Sequence, residues 1–600
     1  MTISDLVRDR FSIRQVNRQT GGVTGLFPVV LDVMPYVFRL ITLFVATSLG
    51  CSLDFNDENA AVSADVGVED ARPVGDQGFA PIVDASMPPD ASERAEFIPA
   101  PAGMYRLTQR QYRNIITDVF GPEVVFETAL EEDTQIHGFS AIGGSELTIS
   151  ARAVEQFESA ALEIAQQVWG DEEQRARWFP CPSPTMDPEC LEAGILRLGY
   201  RLWRRPLTEV ETTTLMGLVE RLHPLLRDEW LSLRYGLSAI LQSPHFLFRV
   251  ERGEIDPVNQ DQLRYTNFEM ASRLAFLFWN RGPDADLLEQ ANAGVLTTDV
   301  GLREAAARLA ADPRARQASL AFFDEYLHLD RLHALEKDRD LFPLMSDSLG
   351  TAMHEEILRM IERVVFDEGS DVHDLLTTRT TSINNELAGI YQVASPGGWT
   401  PFEFPVNSPR AGLLTTAGFL AMNAHNTVTS PTFRGEYIQN KMFCFDIPPP
   451  PPGVVTSLEL VESNGPVTTR QKLAQHRADP SCAGCHVYMD PLGLALENFD
   501  PIGMWRTTEH GLPIDASGEI DGEPFVGGKA LGRLVAERQT FGECVTRQLY
   551  RHGMAHLETR GEEVAITDLQ ARFRDTGYRF EELLIELAMS EAFRRPGGSE

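Results

Sequence analysis

Between Tyr105 and Leu376, apolar residues recur at the three- and four-residue spacing of a helix face, and strand-like alternation is nearly absent. Such a pattern buries its apolar stripe only as a helix, which confines the body of the chain to a mainly α fold. Thr108 followed by Gln111 is a capping-box signature. Tyr112, Ile115, Ile116, Val119 and Phe120 then share one face until Gly121-Pro122 stops the helix. The same reading predicts helices over 150–169, 191–203, 207–226, 230–250, 267–279, 284–293, 301–310, 314–329, 345–366 and 372–376. Ser243-Pro244 should bend or end the one it interrupts, and Asn267 is the expected cap of the strongly apolar one. The aromatic and apolar residues of this series are core, not cofactor contacts.

The character changes after Gly389, where Pro, Gly, Asn and Thr become frequent. Ile447 to Gly453 carries five successive prolines and must be extended, polyproline-like backbone. Residues 468–476 read as a short helix, and 541–553 and 565–593 are helical again. The expected architecture is a multi-helix body with an irregular, loop-rich C-terminal module.

Inside that module stands Cys482-Ala483-Gly484-Cys485-His486. Two thiols at i and i+3 followed at once by an imidazole form the attachment pattern of a c-type haem. Each sulfur adds to one vinyl group as a thioether, and two intervening residues span the distance between the vinyls. The next side chain falls under the macrocycle, where its nitrogen ligates the iron. With 7 Cys and 13 His in 600 residues, composition alone yields roughly 0.002 such occurrences. The plainer alternatives are a Cys482–Cys485 disulfide, half a zinc site or free thiols.

Thioether attachment takes place outside the cytoplasm, so an export signal is expected. Residues 40–50 (LITLFVATSLG) form an apolar run preceded by Arg39 and followed by Cys51. The run suits a signal-peptide core and is too short for a membrane span. Small residues before Cys51 resemble a bacterial lipoprotein cleavage site, although Ser48 stands where such sites carry Leu. Residues 1–33 suit no signal peptide, which makes Met34 a candidate start; an uncleaved anchor helix is the alternative. Residues 52–103 hold eleven acidic against two basic residues and no apolar period, as a disordered acidic tether would. With 87 acids against 53 bases the net charge is −34. That surface repels phosphate backbones and argues against nucleic-acid binding.

Cys51 is assigned to lipid, and Cys482 and Cys485 to haem. Of the four cysteines left, Cys181 and Cys190 are spaced for a small disulfide loop, and Cys444 and Cys544 would pair across the haem segment. Export permits such bonds, while four cysteines allow three pairings.

The order of motifs resembles that of the multi-module planctomycete cytochrome c proteins, also frequent in myxobacteria, whose modules mostly carry unknown-function names. Five segments carry the resemblance: Arg106-Leu107-Thr108 through Gly121; Arg204-Arg205-Pro206-Leu207-Thr208; and Ser272-Arg273-Leu274 through Trp279 with Pro283-Asp284. The fourth is Arg410 to Thr415 with Thr429 to Gly435, and the fifth runs from Cys482 through Asp490-Pro491-Leu492-Gly493 and Leu496 to Asp500 on to Trp505-Arg506. The resemblance spans about residues 104–595 and implies an exported haem-binding protein, without supplying a reaction. In place of the family's Tyr…Gly-Arg turn the chain reads Tyr550-Arg551-His552-Gly553-Met554-Ala555-His556. The expected division is 1–51 preface and signal, 52–103 tether, and helical modules 104–180, 181–255 (with the Cys loop) and 256–395. A haem-binding module, 396–510, and a C-terminal helical module, 511–600, complete it.

His486 is the expected proximal ligand of one covalent haem c. Met489 lies on the same side of the haem and is excluded as the sixth ligand. Met504, in a Gly-rich loop, is the distal candidate; His552, Met554 and His556 form a second cluster, and Met422 with His425 a third. Methionine would raise the reduction potential and a second histidine would lower it. Arg410, Arg434 and Arg506 are candidate partners of the haem propionates, since guanidinium binds carboxylate through two parallel bonds. Asp490, Glu497 and Asp500 are read as turn caps in preference to Ca²⁺ ligands, and His245 as structural. The leading expectation is electron transfer to a redox partner protein from a lipid-anchored position in the cell envelope. The rivals are a haem-dependent oxidoreductase on a substrate that includes polysaccharide among its candidates, and a haem-free surface scaffold.

Overall fold

The computed structural model describes residues 96–146, 148–179, 187–448 and 465–598. Cys51, the apolar run, most of the tether, Cys181 and the prolines from Pro449 onward lie outside the described residues. Two units are distinguished. The first contains Glu96 and Glu220–Asp228, helical as far as Leu226; the second contains 97–219 and 229 onward.

Helices dominate the second unit because local signals agree with the apolar period. Thr108 accepts from the Gln111 amide while the Gln111 side chain returns to the Thr108 N–H, and the helix Gln109–Phe120 follows. Ser150 caps Ala151–Gly170. Thr266, one residue before the expected Asn267, caps Asn267–Trp279 in a second capping box with Glu269. Pro244 divides the stretch 230–250 into Glu229–Gln242, a turn Pro244–Leu247 and a strand Phe248–Glu251. The stretch 565–593 is three helices, Glu563–Asp575, Phe580–Met589 and Glu591–Arg594, because Gly577 and Tyr578 adopt left-handed backbone between the first two.

Strands occur only as two-stranded antiparallel ribbons among the described residues. With two to four residues each, they are too short to show an alternating pattern. One ribbon pairs Gly103–Arg106 with Phe248–Glu251. Residues 97–103, the end of the expected tether, are tied down. The Ile98 N–H donates to the Gly561 carbonyl (3.0 Å), and Ala100 and Ala102 exchange bonds with Gly597. One apolar core draws on Phe139, Ile142 and residues from Tyr265 to Phe593, and so crosses the expected divisions at 395/396 and 510/511. Cys444 and Cys544 are joined in a disulfide with a Cα separation of 5.3 Å. Cys190 is disulfide-bonded, and the expected pairing with Cys181 lies outside the described residues. No helix among the described residues is long and apolar enough to cross a membrane.

Candidate functional site

The Cys482–His486 motif lies on a helix, Pro480–Leu494, that follows the short helix Thr469–His476. It packs on the helix Pro431–Met442. Two glycines permit that crossing: a Cβ at Gly435 would meet the Met489 carbonyl oxygen at 1.9 Å, and one at Gly493 the Pro431 carbonyl oxygen at 1.7 Å. Backbone meets backbone, and any larger residue would force the helices apart. The glycines of two family-like segments therefore serve one contact, the one that seats the motif helix.

Cys482 and Cys485 are half-buried thiols, not a mutual disulfide. His486 Nδ1 lies 3.0 Å from Asp490 Oδ1, one helical turn on. Asp490 is completely buried, its Oδ1 also accepts from the Thr432 hydroxyl (3.2 Å), and Arg477 Nε stands 3.6 Å from its Oδ2. A carboxylate only accepts, so His486 donates through Nδ1 and leaves the Nε2 lone pair for a metal. Asp490 is thus neither a turn cap nor a Ca²⁺ ligand. It holds the imidazole, as carboxylates commonly hold metal-bound histidines. Two thiols at i and i+3 and an imidazole oriented in this way fit a haem carried on thioethers.

Beside His486 the structure places His476, the last residue of the preceding helix, with ring centroids 4.6 Å apart. The sequence offered only a weak pointer to it, a histidine ten residues upstream of the motif across a helix end. Val487 and Tyr488 are exposed on the motif helix, and the Tyr488 ring meets exposed Phe445 at 5.5 Å. Among the described residues no group of three or more His, Cys, Asp or Glu side chains is arranged to hold a metal ion.

Other candidates have structural partners. Arg434 is 0 % exposed. It donates to the carbonyls of Leu496 (2.8 Å), Phe499 (3.0 Å), Leu420 (3.2 Å) and Asp500 (3.1 Å) and pairs with Glu497. Burial pulls its guanidinium down to about 10, which Glu497 partly offsets. Arg410, also buried, donates to the Thr415 and Gly503 carbonyls between the rings of Tyr391 and Phe499. Both brace the 496–504 loop from inside, which corrects their assignment to propionates. Arg506 is partly exposed, with Nε on the Glu497 carbonyl (2.9 Å) and Nη2 on its carboxylate (3.0 Å). It is the one of the three with access to solvent.

Glu497 is buried, which pushes its carboxyl up against the pull of Arg434 and Arg506. Asp500 caps its turn, accepting from the Ile502 and Met504 N–H groups. Met504 follows in that turn and packs against the core. Met489 is buried. Met554 Sδ accepts from Arg273 (3.3 Å), His552 packs on Phe139 and Phe322, and His556 meets Glu562 (3.0 Å). Met422 is buried, and the His425 ring meets Phe433 at a tilt, centroids 5.1 Å apart. His245 pairs with Glu211 (3.2 Å) and the Arg205 guanidinium, a structural network.

Five family models match the chain in succession, each described as "Protein of unknown function". They cover residues 105–170 (DUF1587), 190–251 (DUF1595), 265–393 (DUF1592), 410–509 (DUF1588, labelled PSCyt3) and 521–593 (DUF1585). The Cys482–His486 helix falls within the fourth. No curated protein and no solved structure matches the chain.

Proposed function

Because the chain belongs to the multi-module planctomycete cytochrome c-like family, with all five modules on one polypeptide, we propose that it is an exported c-type haem protein that transfers electrons at the cell envelope. One observation carries the reading: Cys482, Cys485 and His486 share a helix, and His486 is locked by buried Asp490 with Nε2 left to ligate. Haem c supplies reversible one-electron transfer between ferrous and ferric iron. The chain supplies the rest. Cys482 and Cys485 would give the attachment sulfurs, Asp490 and Thr432 would orient the ligand, and His476 packs edge-on against the His486 ring. Arg506 remains as the solvent-facing guanidinium for a propionate. A lipid on Cys51, with acyl chains worth about 0.8 kcal/mol per buried methylene, anchors the protein, and a redox protein docks on the helical body.

The test is expression of the full chain with an intact cytochrome c maturation system. Haem should survive denaturing gels and give a pyridine haemochrome spectrum of the c type, and Cys482→Ala with Cys485→Ala should abolish both. Fully matured wild-type protein without haem would overturn the proposal. Mass spectrometry of the mature N-terminus checks the anchor: a peptide spanning Gly50–Cys51 with unmodified cysteine rejects it.

A further inference from the structure

A cleft of about 470 Å³ opens beside the helix Pro431–Met442. The helical period places Phe433, Glu436, Tyr437 and Asn440 opposite Gly435, which seats the motif helix. The cleft therefore opens on the face of this helix away from Gly435, where the motif helix packs. Its volume suits a ligand of one or two small rings.

In a protein of net charge −34, the cleft gathers three cationic side chains, Arg331, Lys441 and Arg551, together with two carboxylates, Glu436 and Asp446. Arg551 is held by Glu558 through two bonds of 2.7 Å. Arg331 gives one N–H to the Met422 carbonyl (2.8 Å), and among the described residues neither it nor Lys441 has a carboxylate at ion-pair distance. Burial brings Lys441 down to about 8, with Asp446 partly offsetting, and pushes the Glu436 carboxyl up. Burial disfavours both charged forms, against the pull of Asp446 on the Lys441 ammonium and of Arg331 on the Glu436 carboxylate.

The backbone around it is strained. His137, His328 and Cys444 all have φ near +50° although none is glycine, and such residues cluster where function over-determines the geometry. Gly138, at φ +89°, lets the chain approach: a Cβ there would meet the His328 ring at 3.1 Å and Lys441 Nζ at 3.7 Å. The floor is rigid, because the Tyr326 hydroxyl donates to the Lys441 carbonyl and Cys444 is crosslinked to Cys544. Three amides complete the lining, each with one end engaged. Asn423 donates to the Phe419 carbonyl, Asn440 accepts from the Ile447 N–H, and Gln548 donates to Cys444 Sγ. Their other ends are left for hydroxyl groups, and exposed Phe433 offers a ring face at the rim.

We propose that this cleft binds a small hydroxylated organic acid, its carboxylate on Arg331 and Lys441 and its hydroxyls on Asn423, Asn440 and Gln548. The site does not depend on haem. Calorimetric titration of the full mature chain with glucuronate, gluconate and tartrate, each to about 10 mM, tests it, with glucose as the neutral control. At least one acid should bind and glucose should not. Lys441→Gln should weaken that binding by about tenfold or more while leaving the thermal transition unchanged. Asn440→Leu, which keeps both cations, should weaken the hydroxylated acid and leave acetate unaffected. The proposal is overturned if no acid binds, if glucose binds equally, or if folded Lys441→Gln binds as tightly as the wild type.

Discussion

Replacing Arg434 by methionine, which keeps much of the volume and removes the charge, separates two roles for this residue. In the structure its guanidinium is wholly buried, bonded to the carbonyls of Leu420, Leu496, Phe499 and Asp500 and paired with Glu497. Removing one member of a buried pair costs roughly 3–5 kcal/mol, because the other charge stays behind. Here Glu497 keeps Arg506 (3.0 Å) and the Thr429 hydroxyl (2.8 Å), which lowers the loss. The Leu496 and Asp500 carbonyls keep the Phe499 and Gly503 N–H groups (3.0 Å each), and each carbonyl left without a donor adds about 1–3 kcal/mol, less what entering water restores. The two corrections offset, and about 3–5 kcal/mol is expected. Arg434→Lys should recover less than half of it, since one ammonium cannot reach acceptors on both sides of a planar fork. The assay is urea unfolding followed by circular dichroism, on haem-free and haem-loaded protein separately. An internal brace weakens both forms alike. A loss below about 1 kcal/mol in the haem-free form, with a large loss confined to the loaded form, would refute the argument and return Arg434 to the propionates.

Cys444 and Cys544 are 100 residues apart in sequence, so Cys444→Ser with Cys544→Ser should cost about 4–5 kcal/mol in the chain-entropy account; an unchanged urea midpoint in the non-reduced double variant contradicts this. Asp490→Asn should weaken the hold on the His486 Nδ1 proton and favour ferrous iron, raising the reduction potential by roughly 60 mV for each tenfold change in relative affinity. Spectroelectrochemical titration reads this, and a potential that is unchanged or lower rejects the role. Burial raises the Glu356 carboxyl, bonded to Tyr391 and Thr381, from 4.5 to about 7. Between those values the folded chain holds a proton that the unfolded chain has released. The contribution is therefore full below pH 4.5 and lost as pH rises through about 7, by at most about 3 kcal/mol. Glu356→Gln should remove that part of the decline between pH 5 and 8, and an unchanged slope would contradict it.

What could be read from the sequence is what lies close along the chain. The cap at Thr108 was legible because Thr108 and Gln111, three places on, belong to one turn. The Cys482–His486 spacing was legible for the same reason, and the family resemblance because its segments are short and contiguous. The Cys444–Cys544 pair followed from counting the other cysteines. Only the tertiary structure decided the fate of groups whose partners are distant. Arg434 and Arg410 read as ligands by type, but they lie inside because loop carbonyls some sixty to ninety residues away converge on them. Asp490 was one turn from His486 in plain view, yet its role needed the burial that Gly435 and Gly493 create by bringing two helices into backbone contact. His476 meets His486 across a helix end, and Gly103–Arg106 finds Phe248–Glu251 across more than a hundred residues. Periodicity reports which face of a segment is buried. It carries no record of what that face is buried against, and at this site that partner sets the chemistry.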